Sequence, residues 1–173
     1  MKKELTRRSF LKLAGVGTLA VAMSGSLTGC DVIDNLKDMD SVSAAIGDVK
    51  FMLSASAWVN NGSNGMSYQP TCEIRNNSKK AVTYGGIGSN CEVIITGVLT
   101  DKNNKEYPMT YAGENGSAPA GEKYEVKDFK LVAVGKELYM EGSKVETTFT
   151  YNGRKAVFTE YNDGDITSKV ESK

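Results

Sequence analysis

The sequence of 173 residues contains no histidine, the side chain that most often transfers protons near neutral pH and binds metals. Serine, cysteine and zinc mechanisms that are built on histidine are therefore excluded. Carboxylate, lysine or tyrosine chemistry remains for an enzyme, and the sequence shows no convergent signature of it. We therefore expect a protein that is not an enzyme and that needs no metal or other cofactor.

Basic runs are absent from most of the chain. The first 29 residues hold five basic residues and one acidic residue, whereas the remaining residues hold 16 basic and 20 acidic ones. A mildly acidic domain offers no electrostatic footprint for phosphate backbones. Nucleic-acid binding is therefore disfavoured as a function.

A pair of arginines near the N-terminus lies in the sequence TRRSFLK, where Arg7 and Arg8 are followed by Phe10 and Leu11. Residues 13–27 are apolar, but they are too short and too rich in glycine, serine and threonine for a membrane-spanning helix. The arrangement resembles a twin-arginine (Tat) export signal. The alternative is that the two arginines supply the ordinary positive charge of a Sec-type signal.

The apolar segment ends in Leu27, Thr28, Gly29 and Cys30, which resembles the lipobox of bacterial lipoproteins. The resemblance implies that the Cys30 sulfur receives a diacylglyceryl group and that a signal peptidase cuts before Cys30. Two acyl chains anchor a protein stably, whereas one chain does so only marginally. The sequence therefore predicts a precursor whose mature form is lipid-anchored to the cell membrane and faces outside the cytoplasm. The alternative is that Cys30 is a structural thiol.

The domain organisation follows from these motifs and from a change in periodicity. Residues 1–29 are the predicted signal, and residues 30–46 are the lipidated cysteine and a tether, read as a short helix or linker. The tether contains an aspartate cluster that lacks the pattern of a calcium-binding loop, so a solvated spacer is favoured. A single domain is expected at 47–162, followed by a polar tail at 163–173.

An alternation of apolar and polar residues dominates the body of the domain and predicts short strands. Asn152 and Gly153 predict a type I′ hairpin turn, because both central positions of that turn need positive φ. The loop at 101–106 is predicted to be a longer hairpin turn and not a cation site. The expected strands, seven or eight in an all-β antiparallel immunoglobulin-like sandwich, begin near Val49 and continue at 67–76, 80–85, 91–101, 105–112, 122–134, 144–151 and 154–161.

Two segments resemble a broad group of uncharacterised exported bacterial modules. In that group a strand with the sequence IRNNSKKAV, here at 74–82, pairs with a later segment PAGEKYEVKDFKL, here at 119–131. The resemblance implies a turn at 119–122 and a following strand that begins with Tyr124 and Val126. It names no ligand, so it bears on fold and not on activity.

Cys72 and Cys91 remain as an even pair in an exported compartment once Cys30 is assigned to the lipid. Their strand parity predicts that both side chains point inward, where a disulfide would add about 3 kcal/mol to the free energy of unfolding. Two buried free thiols and a redox pair are the alternatives.

Trp58 and Tyr68 flank a loop rich in glycine and asparagine and form a candidate binding face. An exposed aromatic residue there would stack on a sugar or anchor a protein partner, although packing against the core accounts for it equally well. The leading hypothesis is an extracytoplasmic interaction module whose partner is an envelope protein, a glycan or another envelope component. The alternative is an accessory lipoprotein that binds a small ligand for a transporter or envelope enzyme, and a carboxylate-based hydrolase is a third hypothesis.

Overall fold

The computed structural model describes residues 41–61, 65–135 and 141–171. The predicted signal, the lipobox, Cys30 and most of the predicted tether lie outside the described residues. The described part of the chain contains strands, turns and loops, and no helix. The twelve strands are β1 (Ser41–Ile46), β2 (Val49–Asn60), β3 (Met66–Asn76), β4 (Val82–Gly85), β5 (Val93–Thr100), β6 (Glu106–Tyr111), β7 (Gly116–Ala118), β8 (Lys123–Val126), β9 (Leu131–Ala133), β10 (Lys144–Tyr151), β11 (Arg154–Tyr161) and β12 (Ile166–Glu171).

All twelve strands belong to one large, mostly antiparallel sheet. Its main path runs β1-β2-β3-β9-β6-β5-β10-β11-β12, with β4, β7 and β8 attached beside it. The two ends of this path lie close together, because the Ser168 hydroxyl on β12 donates a hydrogen bond to the Ser43 carbonyl on β1 at 3.0 Å. The sheet therefore curls into a nearly closed barrel.

The all-β prediction is confirmed, but the immunoglobulin-like sandwich is not. A sandwich needs two separate sheets, whereas backbone pairing here connects every strand into one. The strand count is also higher than the predicted seven or eight. One cause is the predicted strand at 122–134, which splits into β8 and β9 around Asp128, whose φ is 51°.

The folded unit extends beyond the predicted bounds of 47 and 162. β1 lies in the segment assigned to the tether, and β12 begins in the segment assigned to the tail. Three of the six β12 residues are polar or charged and exposed, and its apolar–polar alternation is weak in the sequence. Pairing with β11 from Glu160–Ile166 to Lys155–Glu171 brings this strand into the sheet.

Aromatic side chains fill the interior of the curled sheet. The Phe149 ring on β10 stacks on the Phe51 ring of β2 with 4.7 Å between centroids. Phe158 packs edge-on against the same ring at 5.6 Å, and Phe129 lies at 6.0 Å. Because these rings come from different parts of the chain, their burial stabilises the curled form of the sheet.

The predicted hairpins are confirmed. β10 and β11 pair from Lys144–Tyr161 to Tyr151–Arg154, and both turn residues, Asn152 (φ 49°) and Gly153 (φ 73°), have the positive φ that a type I′ turn requires. β5 and β6 flank the predicted loop after Thr100. There the Asp101 carboxylate accepts hydrogen bonds from the backbone amides of Asn103 and Lys105, as in a turn.

The pairing implied by the resemblance to exported modules is also present. β3 and β8 are antiparallel, with Ile74 opposite Tyr124 and Cys72 opposite Val126. Gly121 has a φ of 74° in the turn that precedes β8. None of the described residues forms a helix long and apolar enough to cross a bilayer.

Candidate functional site

A β-bulge in β2 determines which side chains reach the interior near the β2–β3 hairpin. The pairing of β2 with β3 shifts between Ser54 and Ser56, so Ala55 is an extra residue in β2. Before the bulge, Phe51 and Leu53 point inward, and an unbroken alternation would continue this at Ala57. The bulge reverses the parity, so Ser56 and Trp58 point inward instead. Bulges often re-aim side chains next to functional sites.

Ser56 and Trp58 meet Glu160, a nearly buried carboxylate on β11 that is 7% exposed. The Ser56 hydroxyl donates a hydrogen bond to Glu160 Oε1. Trp58 Nε1 lies 3.0 Å from Ser56 Oγ and 3.3 Å from Glu160 Oε1 and donates to both. The Tyr68 hydroxyl on β3 donates to Glu160 Oε2 at 2.6 Å. We call these four residues the Glu160 cluster.

Neutral donors surround the Glu160 carboxylate. The ion pairs among the described residues involve other carboxylates. Within this part of the chain, no lysine or arginine therefore lies at salt-bridge distance from the Glu160 carboxylate. Burial raises the pKa of Tyr68 far above its usual range, and the neighbouring Glu160 charge raises it further. Tyr68 is therefore a permanent hydrogen-bond donor that holds one carboxylate oxygen in place.

Thr147 on β10 is a further buried polar residue beside Tyr68, and it is 1% exposed. Its Oγ1 has no hydrogen-bond partner of normal geometry in the described part of the chain. The Trp58 and Tyr68 rings pack edge to face with 5.5 Å between centroids. The cluster thus joins β2, β3 and β11 across the interior, and it reaches the surface through the half-buried Ser56 and Trp58.

Exposed apolar side chains surround the same end of the barrel. The ends of β2, β9 and β11 and the starts of β3, β10 and β12 lie at this end, as the strand pairing shows. Val59 stands next to the end of β2, Val134 follows β9, and Tyr161 is the last residue of β11. They are 40%, 80% and 45% exposed respectively. We call this the Trp58 end.

The two residues of the predicted binding face are in contact, but only one of them reaches the surface. Trp58 is half-buried and lies at the mouth of the interior, but Tyr68 is only 1% exposed. Tyr68 points inward because it is the direct cross-strand partner of Trp58 on β3. It therefore supports Trp58 and Glu160 from below and is not part of an exposed face.

The predicted disulfide between Cys72 and Cys91 is not present in the structure, and both are free thiols. Cys72 points inward from the middle of β3, and burial raises its pKa. Cys91 precedes β5, which begins at Val93, so strand alternation does not fix its direction. It is half-buried, whereas the prediction placed it in the core.

Among the described residues, no group of three or more cysteine, aspartate or glutamate side chains could hold a metal ion. The Asp101 carboxylate stabilises the turn after β5, because it accepts hydrogen bonds from two backbone amides there. Those backbone hydrogen bonds lower the pKa of Asp101, with a smaller contribution from Tyr107.

Neither Ser56 nor Glu160 was predicted to be a site residue from the sequence. Glu160 lies in a segment that has the ordinary alternation of a strand. One signal for the bulge is present, namely Pro70, which lies in the middle of the predicted strand at 67–76. Proline cannot donate to a ladder and is confined to edges or bulges of sheets. In the structure Pro70 pairs with Ser56, directly after the bulge.

No protein-family model matches this chain, and neither curated proteins nor solved structures show a significant similarity to it.

Proposed function

We propose that this protein is a lipid-anchored interaction module, held on the outer side of the cytoplasmic membrane, that binds an envelope protein, a glycan or another envelope component. One observation carries the choice of an interaction module: buried side chains fill the interior of the barrel. Phe51, Phe149, Phe158 and Leu53 are all within 1% of complete burial. A filled interior leaves recognition to the outer surface and the loops.

The anchor in this proposal rests on the twin-arginine pair and the lipobox that ends in Cys30. A diacylglyceryl group carries two acyl chains, each contributing about 0.8 kcal/mol per buried CH₂. Such a group holds a folded domain on the membrane without a spanning segment. Trp58 and the loops of the barrel then form the surface that is available to a binding partner.

The Trp58 end supports the choice of binding surface. Trp58, Val59, Val134 and Tyr161 bring two aromatic and two aliphatic side chains to one end of the barrel. Tryptophan and tyrosine are enriched at interfaces because they combine a large apolar area with a polar atom. The alternative, a carrier that encloses a small ligand, finds no support in the filled interior.

Site-specific photo-crosslinking in cells tests this proposal. A photo-reactive residue replaces Val134 at the Trp58 end or Ile87 at the opposite end, between β4 and β5. The two positions are matched, because both are exposed aliphatic residues, at 80% and 78%. We expect a discrete adduct of the membrane-anchored protein from position 134 and not from position 87. Adducts of equal yield from both positions, or none from either, would contradict the proposed surface.

A further inference from the structure

Ser56 has the hydrogen-bond partners of an activated nucleophile. Its hydroxyl donates to Glu160 Oε1, and the Tyr68 hydroxyl holds Glu160 Oε2 at 2.6 Å. Nucleophilic serines generally bind a base that a third group orients. The four residues of the Glu160 cluster come from β2, β3 and β11, and Glu160 is 104 positions from Ser56, so the arrangement is a product of the fold.

The fold places Glu160 to accept the Ser56 proton. Glu160 is 7% exposed, so little water competes with Ser56 for its carboxylate. Trp58 Nε1 donates to Ser56 Oγ at 3.0 Å and stabilises negative charge that develops on this oxygen. Ser56 itself is half-buried, so part of its surface is exposed to solvent. The β-bulge is what points Ser56 toward Glu160, because regular alternation would point it outward.

We propose that Ser56 is a nucleophile, with Glu160 as its general base, and that it attacks carboxylic esters. This activity goes beyond partner binding and does not depend on it. It departs from the expectation of a non-enzymatic protein, which rested on the absence of histidine. A carboxylate that accepts the hydroxyl proton removes the need for an imidazole.

The reaction proceeds in two balanced steps. In the first step the Ser56 hydroxyl proton moves to Glu160 Oε1 while Oγ forms a bond to the ester carbonyl carbon. The bond from that carbon to the alcohol oxygen then breaks, and the leaving alcohol takes the proton from Glu160. In the second step water gives a proton to Glu160 while its oxygen forms a bond to the acyl carbon. The bond from that carbon to Ser56 Oγ then breaks, and Oγ takes the proton back from Glu160, which releases the carboxylic acid and restores the Ser56 hydroxyl.

A fluorophosphonate probe tests the nucleophile in the full-length protein. The same attack forms a bond from Ser56 Oγ to phosphorus and breaks the phosphorus–fluorine bond, so the protein gains a stable adduct. We expect Ser56→Ala to abolish the labelling. Glu160→Gln should slow it at least about 100-fold, the lower limit of the usual contribution of a general base. Ser54→Ala is the matched control and should label at the rate of the unchanged protein, because Ser54 precedes the bulge and pairs with Thr71.

Peptide mapping locates the adduct in the wild-type protein, so this result does not depend on whether a variant folds. The adduct should be found on Ser56, and circular dichroism shows which variants remain folded. An unlabelled wild-type protein, or an adduct on another residue, would refute the proposal. Equal labelling rates of folded wild-type and Glu160→Gln proteins would refute the role of Glu160 as the base.

Discussion

Replacement of Phe149 by alanine is expected to lower the free energy of unfolding by about 3–5 kcal/mol, the usual cost of removing a fully buried aromatic side chain. Phe149 is completely buried and contacts the rings of Phe51, Phe129 and Phe158. The substitution removes the central ring of the interior, and a curled sheet cannot collapse freely to fill the space. Urea denaturation followed by circular dichroism measures the change.

Tyr161→Ala is the matched control for this substitution. It also removes an aromatic ring, but Tyr161 is 45% exposed at the end of β11. Exposed substitutions usually change the free energy of unfolding by about 0.5 kcal/mol or less. If Phe149→Ala costs no more than Tyr161→Ala, the aromatic interior is not what holds the barrel together.

Gly65→Ala is expected to have the second large effect, about 2–5 kcal/mol, from backbone strain together with a steric clash. Gly65 has a φ of 92°, which L side chains rarely adopt. A Cβ atom there would lie 2.0 Å from the carbonyl oxygen of Ala133 and 3.0 Å from the Cα atom of Val134. Both contacts are with backbone, so relief requires β3 and β9 to separate.

Gly47→Ala separates the two causes, because Gly47 has a φ of 60° and no atom within 4 Å of its added Cβ. It should cost about 1–2 kcal/mol from backbone strain alone. The measurement is again the free energy of unfolding, together with the photo-crosslinking yield at position 134, which lies beside Gly65. Equal losses of unfolding free energy at the two glycines would show that the backbone at Gly65 does not lie in close contact with Ala133 and Val134.

The strands of this protein could be predicted from its sequence because most of them have one buried face. β10 shows this well, since Val145, Thr147, Phe149 and Tyr151 are all buried and alternate with half-buried residues. The turn at 152–153 is equally local, because asparagine and glycine tolerate its backbone angles. Local patterns of this kind do not show which strands pair. The same alternation is expected in one curled sheet and in two packed sheets, so it cannot distinguish the two architectures.

The Glu160 cluster could not be predicted, because it depends on a shift of one residue. Regular alternation along β2 would point Ala57 inward, and only the bulge brings Ser56 and Trp58 to that face. Pro70 indicates that the ladder is irregular, but it does not say which residue of the partner strand is extra. The contact with Glu160 then joins residues that are 104 positions apart.

The cysteines show the same limit of local patterns. Parity along β3 correctly places Cys72 in the interior, as its complete burial shows. Strand parity cannot be applied to Cys91, because this residue precedes β5, which begins at Val93. An inward direction for both residues would not by itself have brought the two sulfur atoms together.

The proposed membrane attachment through Cys30 can be tested by detergent phase partition of the full-length protein and of the Cys30→Ser variant. We expect the mature wild-type protein to enter the detergent phase because of its two acyl chains. Cys30→Ser removes the only sulfur that the lipobox offers to the lipid, and this variant should stay in the aqueous phase. Partition of both proteins into the same phase would contradict a lipid anchor on Cys30.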